Sequence, residues 1–461
     1  MKRGSPLFIT TKIRIYRGDG MFSKKDLIKL IIPLIIEQLL AVTVGIADSM
    51  MVARVGEEAV SGVSLVDTLN VLLIGLFGAM ATGGAVVSAQ YLGQKNEKSA
   101  CQAGEQLVAA ILALSLILMA VALLFGNSVL TLLFGHVSSD VMGTARIYLI
   151  YTALSFPFLA IYNACAALFR SMGNSKVSMT IALIINLLNI VGNAILIFGY
   201  DMGVAGAAIS TLVSRIVAAI TMYVLLKNKR YSIHLEALRT FRVNLNMIKR
   251  ILRIGIPNGL ENSVFQIGKI LVQGIVAGLG TSAITANAVV GTVGGLGVLP
   301  SSAIGLALIT VVGRCIGARE YEAAKKYTFR LIRLAYICMA IVNIALIFSV
   351  PLILKLYGLT EQTAKIASEL IIYHSIVATL LWPLSFTLPN ALRAANDAKF
   401  TMWISMISMW VWRIGFSYVL VMLFDLGVMG IWIAVTIDWV CRSIFFVIRF
   451  MKGKYRSRAI I

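Results

Sequence analysis

The sequence predicts an all-α membrane protein whose twelve transmembrane helices form two six-helix lobes, related by a pseudo-twofold axis along the membrane normal. Three observations predict this fold: an apolar composition, basic residues confined to short segments, and an internal repeat. Of the 461 residues, 59% are hydrophobic and 13% are charged, against about 45–50% and about 25% in soluble domains. Such a composition excludes a soluble globular protein and a disordered chain.

The few charges are strongly biased, with 41 Lys and Arg against 20 Asp and Glu and a net charge of +21. Seven segments hold 32 of the 41 basic residues: 1–25, 95–98, 170–176, 227–253, 314–333, 393–399 and 449–458. Two apolar runs separate each neighbouring pair of segments. By the positive-inside rule, the seven segments and both termini are expected in the cytoplasm, with the chain multi-pass in the cell membrane. Because no basic patch is contiguous, nucleic acid is not an expected partner.

Each apolar run can cross a hydrocarbon core of about 30 Å as a helix. The predicted spans are 26–53, 60–93, 100–126, 140–169, 177–199, 204–227, 248–278, 284–313, 327–350, 364–391, 401–424 and 428–450. The first 20 residues lack the apolar core and cleavage site of a signal peptide. We therefore expect an N-terminal extension, an N-lobe, a cytoplasmic linker, a C-lobe and a basic tail, at 1–21, 22–227, 228–247, 248–452 and 453–461.

An internal repeat relates the two halves of the chain. Residues 25–100 align without a gap on 249–324, and the offset of 224 pairs Lys25 with Lys249, Pro33 with Pro257, and Glu37 with Glu261. Six spans per repeat is an even number, so both halves enter the membrane from the same side. Two such lobes around a central cavity suit transport by alternating access; the alternative is a duplicated bundle without a transport role.

Polar residues within the spans are the candidates for function, because a charge at lipid depth is costly unless it meets water, a partner or an ion. In helix 1, Glu37 and Asp48 are eleven residues apart and therefore share one face. Helix 5 carries Asn186, Asn189 and Asn193. These residues favour an ion or water site, although Asp48 at the outer end of its helix could simply be solvated, and Asn residues also hydrogen-bond between packed helices.

The second lobe offers Glu261, the repeat equivalent of Glu37, together with Lys269 and His374. An isolated ammonium needs an acid, and Lys269 is expected to meet Glu261, Glu37 or Asp48. Its role is open between a structural ion pair and the binding of an anionic substrate group. His374 is more typical of packing than of a ligand when it stands alone.

Helices 11 and 12 also carry charges within their spans. Asp438 and Arg442 are four residues apart on helix 12 and are expected to neutralise each other. Arg413 in helix 11 has no partner that the sequence indicates.

Several segments resemble the multidrug and toxic compound extrusion (MATE) family: PLIIEQLLAVTVGIADSMMVARVG in helix 1, the loops ALFRSMGNSK and ALRAANDAK, and NLLNIVGNAILIFGYDMGVAGAAISTLVS across helices 5 and 6. The likeness covers about 22–452, within the multidrug/oligosaccharidyl-lipid/polysaccharide flippase superfamily. It implies secondary active export of small organic, mostly cationic compounds, by antiport against Na+ or H+.

The resemblance also implies a coupling site, because some members use an Asp in helix 1, two polar residues four apart in helix 5 and a Thr in helix 6. Asp48, Asn189, Asn193 and Thr211 match these positions. The second helix-5 residue is often Asp, so Asn193 leaves one carboxylate and the choice between Na+ and H+ open. Other members use an acid where this chain has Phe265, with an Asp in helix 10, which has none here. Coupling is therefore placed in the N-lobe, where Na+ is a possible bound metal.

Other functions are less consistent with the sequence. A lipid-linked oligosaccharide flippase of the same superfamily would need a basic cavity, for which Lys269 is the one clear candidate. An enzyme is not expected, because the three His residues are isolated, and no GxxxxGK[ST] segment indicates an ATP-driven pump. We expect no cofactor beside the coupling ion, a monomer, and five free thiols at Cys101, Cys165, Cys315, Cys338 and Cys441.

Overall fold

The computed structural model describes residues 21–135, 137–236 and 241–454. The predicted extension, His136, part of the linker and most of the basic tail lie outside the described residues. The described chain forms twelve long helices: α1 Lys24–Ala53, α2 Glu57–Gly93, α3 Glu97–Phe134, α4 Ser139–Ser171, α5 Ser175–Gly199, α6 Gly203–Leu226, α7 Leu245–Ala277, α8 Thr281–Gly317, α9 Tyr321–Tyr357, α10 Glu361–Ala394, α11 Ala398–Met422 and α12 Gly427–Met451.

The predicted class of fold is confirmed, since the described residues form twelve helices and no strand. Eleven of these helices are long and apolar enough to cross a membrane, and α7 is the exception. Helix α7 begins with Lys249, Arg250 and Arg253 and carries Glu261 and Lys269 further along. Two of these five charged residues, Glu261 and Lys269, are also functional candidates from the sequence.

The internal repeat is visible in the backbone as well as in the side chains. Residues with positive φ recur at the junctions of equivalent helices, and half of the paired residues are not glycine, the residue that such angles favour. The pairs, 224 residues apart, are Gly56 and Gly280, Lys95 and Arg319, Asp201 and Asp425, and Gly203 and Gly427. The two halves thus share the geometry of their turns, which places equivalent helices in equivalent positions.

Three helices contain a π-helical stretch, a feature that often marks functional sites. The stretch Ala194–Gly199 directly follows Asn193 in α5, Pro383–Thr387 lies within α10, and Met409–Gly415 lies within α11. Each wider turn rotates the side chains around it relative to a regular α-helix. Their directions therefore cannot be read from residue spacing alone.

The N-lobe, α1–α6, and the C-lobe, α7–α12, are joined by hydrogen bonds at the end of the bundle where α1 begins. Gln90 donates to the carbonyl oxygen of Ala394 at 2.8 Å, and Thr310 donates to that of Arg170 at 3.0 Å. Arg314 donates through Nε and Nη2 to the carbonyl oxygen of Ser171 at 3.0 and 2.8 Å. The same end carries the basic segments, so the lobes are closed against each other on the side predicted to be cytoplasmic.

Glycines allow the close approach of α2 and α8 at this closed end. A Cβ added at Gly317 would overlap the backbone carbonyl oxygen of Gln90, and one added at Gly93 would overlap that of Arg314. The first of these carbonyls cannot move without shifting α2, whose Gln90 side chain forms one of the hydrogen bonds between the lobes.

We expect Gly317→Ala to lower the midpoint of thermal unfolding of the detergent-purified protein by about 5 °C or more. The new Cβ would clash with the backbone carbonyl of Gln90. The cost of this clash exceeds the gain of about 1 kcal/mol in helix stability that Ala has over Gly. Gly295→Ala in the same helix is the matched control, because its Cβ would meet nothing within 4 Å. Equal midpoints for the two variants would contradict this account of the closed end.

Candidate functional site

Polar residues of α1, α5 and α6 meet inside the N-lobe. The Asn193 side-chain amide donates to Asp48 Oδ1 at 2.6 Å, and Asn189 donates to Thr211 Oγ1 at 3.2 Å. Ser210 holds α5 against α6 by donating to the backbone carbonyl of Asn189 at 2.8 Å. Asn189 and Asn193 lie one turn apart on α5, so the four residues named from the sequence lie in one neighbourhood. We refer to them, with the residues Asp67 and Arg215 described below, as the N-lobe cluster.

Two side-chain oxygens of the N-lobe cluster are buried without a hydrogen-bond donor among the residues that the structure describes. They are Oδ1 of Asn189 and Oδ1 of Asn193, whose residues are 6% and 0% exposed. A buried carbonyl oxygen that accepts nothing is costly, and native structures contain few of them. Amide and carboxylate oxygens are the ligands that hard cations prefer. The N-lobe cluster therefore contains oxygen atoms of the type that bind a small cation.

A second carboxylate and a guanidinium complete the N-lobe cluster, and the sequence analysis missed both. Asp67 of α2 interacts electrostatically with Asp48, and it accepts hydrogen bonds from Asn70 at 3.2 Å and from the Tyr148 hydroxyl. Asp67 is exposed, whereas Asp48 is partly buried. The expectation of a single carboxylate is therefore corrected, because α2 supplies the acid that helix 5 lacks.

Arg215 of α6 is the cation of the N-lobe cluster. It donates to Ser155 Oγ at 2.6 Å and interacts electrostatically with Asp67 and Asp48. The N-lobe cluster thus combines two carboxylates with one guanidinium, for one net negative charge. Both missed residues lie in predicted spans, where the rule that marked Asp48 would also have marked them.

Glu37 and Glu261 form equivalent ion pairs in the two lobes. Glu37 pairs with Arg170 at 3.0 Å, and Glu261 pairs with Arg393 at 2.7 Å. The arginines belong to the two loops that the family resemblance is based on. A serine hydroxyl also donates to each acid, from Ser178 at 2.7 Å and from Ser405 at 2.6 Å. Both acids, which were named as cavity candidates, therefore form buried ion pairs that connect the helices of their lobes. We refer to these two ion pairs as the joints.

The ion pairs of α11 and α12 differ from those expected. Asp438 pairs with Arg413 at 2.9 Å, and Arg442 extends to Glu261 at 3.4 Å and to Ser405 at 2.8 Å. The expected ion pair between Asp438 and Arg442 does not form, although Asp438 is still the acid that attracts Arg442 most strongly. Arg413 stands in the π-helical stretch of α11, which turns its side chain toward Asp438 in a way that spacing along the chain does not reveal.

Lys269 has none of the carboxylate partners expected for it. Within the described residues it forms no ion pair, and its ammonium lies 5.3 Å from the centre of the Phe265 ring. Arg413 lies 5.0 Å from the same ring and repels Lys269 electrostatically. The position therefore adds positive charge to the C-lobe instead of neutralising an acid.

The remaining candidates are His374 and Asn186. The His374 ring packs on Trp432 and Trp439, with centroids 5.1 and 5.8 Å apart, and is 7% exposed. Asn186 is partly buried on α5, one turn before Asn189. Within the ranges that the structure describes, no three His, Cys, Asp or Glu residues are grouped as a transition metal would need. A ligand role for either residue stays a prediction.

A model of a known protein family matches both halves of the internal repeat. The MatE family model matches residues 33–195 and again 257–419, two segments that lie 224 residues apart. The chain is 29% identical over 449 residues to the uncharacterized transporter YisQ of Bacillus subtilis, covering 96% of this chain and 95% of that one. It is 28% identical over 451 residues to a probable multidrug resistance protein NorM of Thermotoga maritima, covering 95% and 94%.

Two solved structures are similar along nearly the whole chain. A MATE crystal structure in the bent conformation has a TM-score of 0.86 at 20% identity, over 95% of this chain and 97% of that one. The outward-facing conformation of a multidrug resistance MATE family transporter of the MOP superfamily has a TM-score of 0.86 at 21% identity, over 94% and 96%. At this identity the likeness shows the two-lobed fold.

We expect Glu261→Gln to destabilise the protein more than Glu37→Gln. The first variant leaves two buried arginines without their acid and the second leaves one, and breaking a buried ion pair costs about 3–5 kcal/mol. Thermal unfolding in detergent should rank the midpoints wild type, Glu37→Gln, Glu261→Gln from highest to lowest. Glu369→Gln, at an exposed position on α10, should match the wild type. A higher unfolding midpoint for Glu261→Gln than for Glu37→Gln would contradict the ion pairs assigned to these two acids.

Proposed function

Since the chain belongs to the MatE family, we propose that it is a secondary active exporter that exchanges organic, mostly cationic compounds for Na+ or H+ by alternating access. The names of the similar proteins support multidrug efflux as the family activity. The residues of this chain support a coupling cation bound in the N-lobe. The protein would act in the cell membrane as a monomer with both termini in the cytoplasm, as the basic segments indicate.

The N-lobe cluster carries this proposal. It has one net negative charge and two buried amide oxygens without donors, so a single monovalent cation would balance its charge and supply the missing contacts. A proton would need only a carboxylate, whereas Na+ needs several oxygen ligands. The unpartnered oxygens of Asn189 and Asn193 therefore favour Na+ over H+.

The net negative charge of the N-lobe cluster would lead to an exchange of cations, because its acids attract an organic cation as well as the coupling ion. Asp67 is exposed and Asp48 is partly buried, so the cluster extends from the lobe interior toward its surface. Only one cation can neutralise a single net charge, and the arrival of one disfavours the other. The two would then be bound alternately, as antiport requires.

Alternating access would use the closed end of the bundle. A few side-chain hydrogen bonds to backbone carbonyls join the lobes there, among them those from Gln90, Thr310 and Arg314. Breaking these bonds would release the lobes on this side, and water can replace each of them. The joints within each lobe, Glu37 with Arg170 and Glu261 with Arg393, would keep the lobes intact during that movement.

We expect Asp48→Asn to reduce gradient-driven efflux of a cationic dye from reconstituted vesicles at least tenfold. The variant removes one of two acids and leaves the cluster neutral, so neither cation is attracted. Ser49→Ala is the matched control, because Ser49 is exposed on the same helix and its hydroxyl donates only to the Gly45 carbonyl. Full transport by Asp48→Asn would show that coupling lies elsewhere.

We also expect Na+ to raise the midpoint of thermal unfolding of the wild type above that in choline at equal ionic strength. A ligand that binds only the folded state stabilises it by about 2.7 kcal/mol at one hundred times its dissociation constant. The rise should be lost in Asp48→Asn and reduced in Asn193→Ala. An absent rise in the wild type, together with efflux driven by a pH gradient alone, would identify H+ as the coupling ion.

A further inference from the structure

The linker between the lobes is fastened to α3 by hydrogen bonds. The backbone N–H of Glu236 donates to Glu105 Oε1 at 2.9 Å. The side chain of Gln106 donates to the carbonyl oxygen of Arg242 at 2.8 Å and accepts from the backbone N–H of Asn244 at 3.0 Å. These contacts hold the described parts of the linker against the N-lobe, at the end of the bundle that is predicted to be cytoplasmic.

Two cavities meet where the linker crosses α3. The first, of about 890 Å³, lies between the linker and the beginning of α3 and is lined by mostly polar residues. The second, of about 400 Å³, is an apolar groove between α3, α4 and α6. The walls of the groove include Val108, Leu112, Phe158, Ile161, Ile220 and Tyr223. Glu105 and Glu236 line both cavities, so the two acids lie at the junction of a polar and an apolar space.

The apolar groove lies on the side of the N-lobe that faces away from the C-lobe. Helix α2 packs on α7 and α8 of the C-lobe, α4 packs on α2, and α3 and α6 pack on α4. Ile220 is exposed in the wall of the groove, so the groove opens at this outer surface. From Glu105 to Leu112 it extends about 10 Å along α3 toward the middle of the bundle. An apolar groove at membrane depth that ends in a polar cavity suits an amphipathic ligand with an alkyl chain.

Charged groups of both signs lie at the linker end of the groove. Lys227 directly follows α6, and its ammonium lies 5.0 Å from the centre of the Tyr223 ring. Glu105 interacts electrostatically with the same tyrosine. Glu105 is partly buried and Glu236 is exposed, so a headgroup at the junction can reach both acids. Within the described residues Lys227 forms no ion pair.

We propose that this groove binds a phospholipid with an amine-bearing headgroup, phosphatidylethanolamine, from the leaflet on the linker side. One acyl chain would occupy the groove, the phosphate would lie at Lys227, and the ammonium would donate to Glu105 and Glu236. Charge complementarity selects this occupant. Phosphatidylglycerol would bring a phosphate to Lys227 but leave both acids without a cation, and phosphatidylcholine has no N–H group to donate to them.

Photolabelling of the reconstituted protein tests both the place and the chemistry of this site. The full chain is reconstituted into phosphatidylcholine vesicles that contain a trace of phosphatidylethanolamine with a diazirine on one acyl chain. After irradiation, mass spectrometry of the peptides locates the label and gives its yield. A parallel sample contains phosphatidylcholine with the same diazirine chain. Unlabelled phosphatidylethanolamine or phosphatidylglycerol is included in further vesicles as a competitor.

In the wild type we expect the label on the parts of α3 and α6 that line the groove, with a yield at least threefold higher from the ethanolamine probe. Glu105→Gln and Lys227→Gln should each lower that yield about threefold to fivefold, the range expected for a partly exposed ion pair. Glu369→Gln and Lys365→Gln are the matched controls, because both residues are exposed on α10 of the other lobe. Neither control should change the yield.

The midpoint of thermal unfolding in detergent without phosphatidylethanolamine separates loss of binding from loss of fold. Glu105→Gln keeps a side-chain oxygen that can accept the backbone N–H of Glu236, so its midpoint should match that of the wild type. If that variant is destabilised, Lys227→Gln decides the test, because the Lys227 side chain forms no hydrogen bond with the described residues.

Three results would overturn the inference: equal labelling of the groove by the two probes, undiminished labelling in a stably folded Lys227→Gln, or stronger competition by phosphatidylglycerol than by phosphatidylethanolamine. The first would indicate an ordinary boundary lipid, and the third a lipid held by basic residues alone. The labelling needs no ion gradient and no exported compound. Failure of the proposed export function would therefore leave this inference standing, and the reverse also holds.

Discussion

A charged side chain within the hydrocarbon core of a membrane must be neutralised by a partner, by water or by an ion. The organisation of this protein follows from which of these neutralises each charged residue. Glu37 with Arg170 and Glu261 with Arg393 are neutralised within their lobes at 3.0 and 2.7 Å. Because the pairs are equivalent in the repeat, each lobe has the same internal joint. The joints hold the helices of each lobe together.

The charged residues outside the joints differ between the two lobes. In the N-lobe, Asp48 and Asp67 exceed Arg215 by one negative charge, and the oxygens of Asn189 and Asn193 lack donors. In the interior of the C-lobe, Lys269, Arg393, Arg413 and Arg442 exceed Glu261 and Asp438 by two positive charges. Among the described residues, Arg442, Trp382 and Trp439 retain N–H groups without acceptors. The N-lobe cluster thus retains unpartnered acceptors, whereas the interior of the C-lobe retains unpartnered donors, and our proposal of a cation site in the N-lobe depends on this difference. The duplicated chain has diverged in polarity while keeping its backbone.

Much of the fold could be predicted from the sequence, since composition, basic segments and a 224-residue repeat are properties of the chain itself. The neighbourhood of Asp48, Asn193 and Thr211 could be predicted from spacing and family resemblance. The pairing of Arg413 with Asp438 could not, because a π-helical stretch in α11 sets the direction of Arg413. The contribution of Asp67 depends on the packing of α2 near α1, which no local pattern encodes, although its place within an apolar span marked it as unusual.

We propose that the N-lobe cluster, with one net negative charge, holds one coupling cation at a time. Equilibrium binding of radioactive sodium to the purified protein, with tetraphenylphosphonium as a competing organic cation, tests it most directly. We expect one sodium ion to bind per chain and to be displaced competitively by tetraphenylphosphonium. We expect no sodium to bind to Asp48→Asn. Sodium that binds unchanged in that variant, or together with the organic cation, would contradict it.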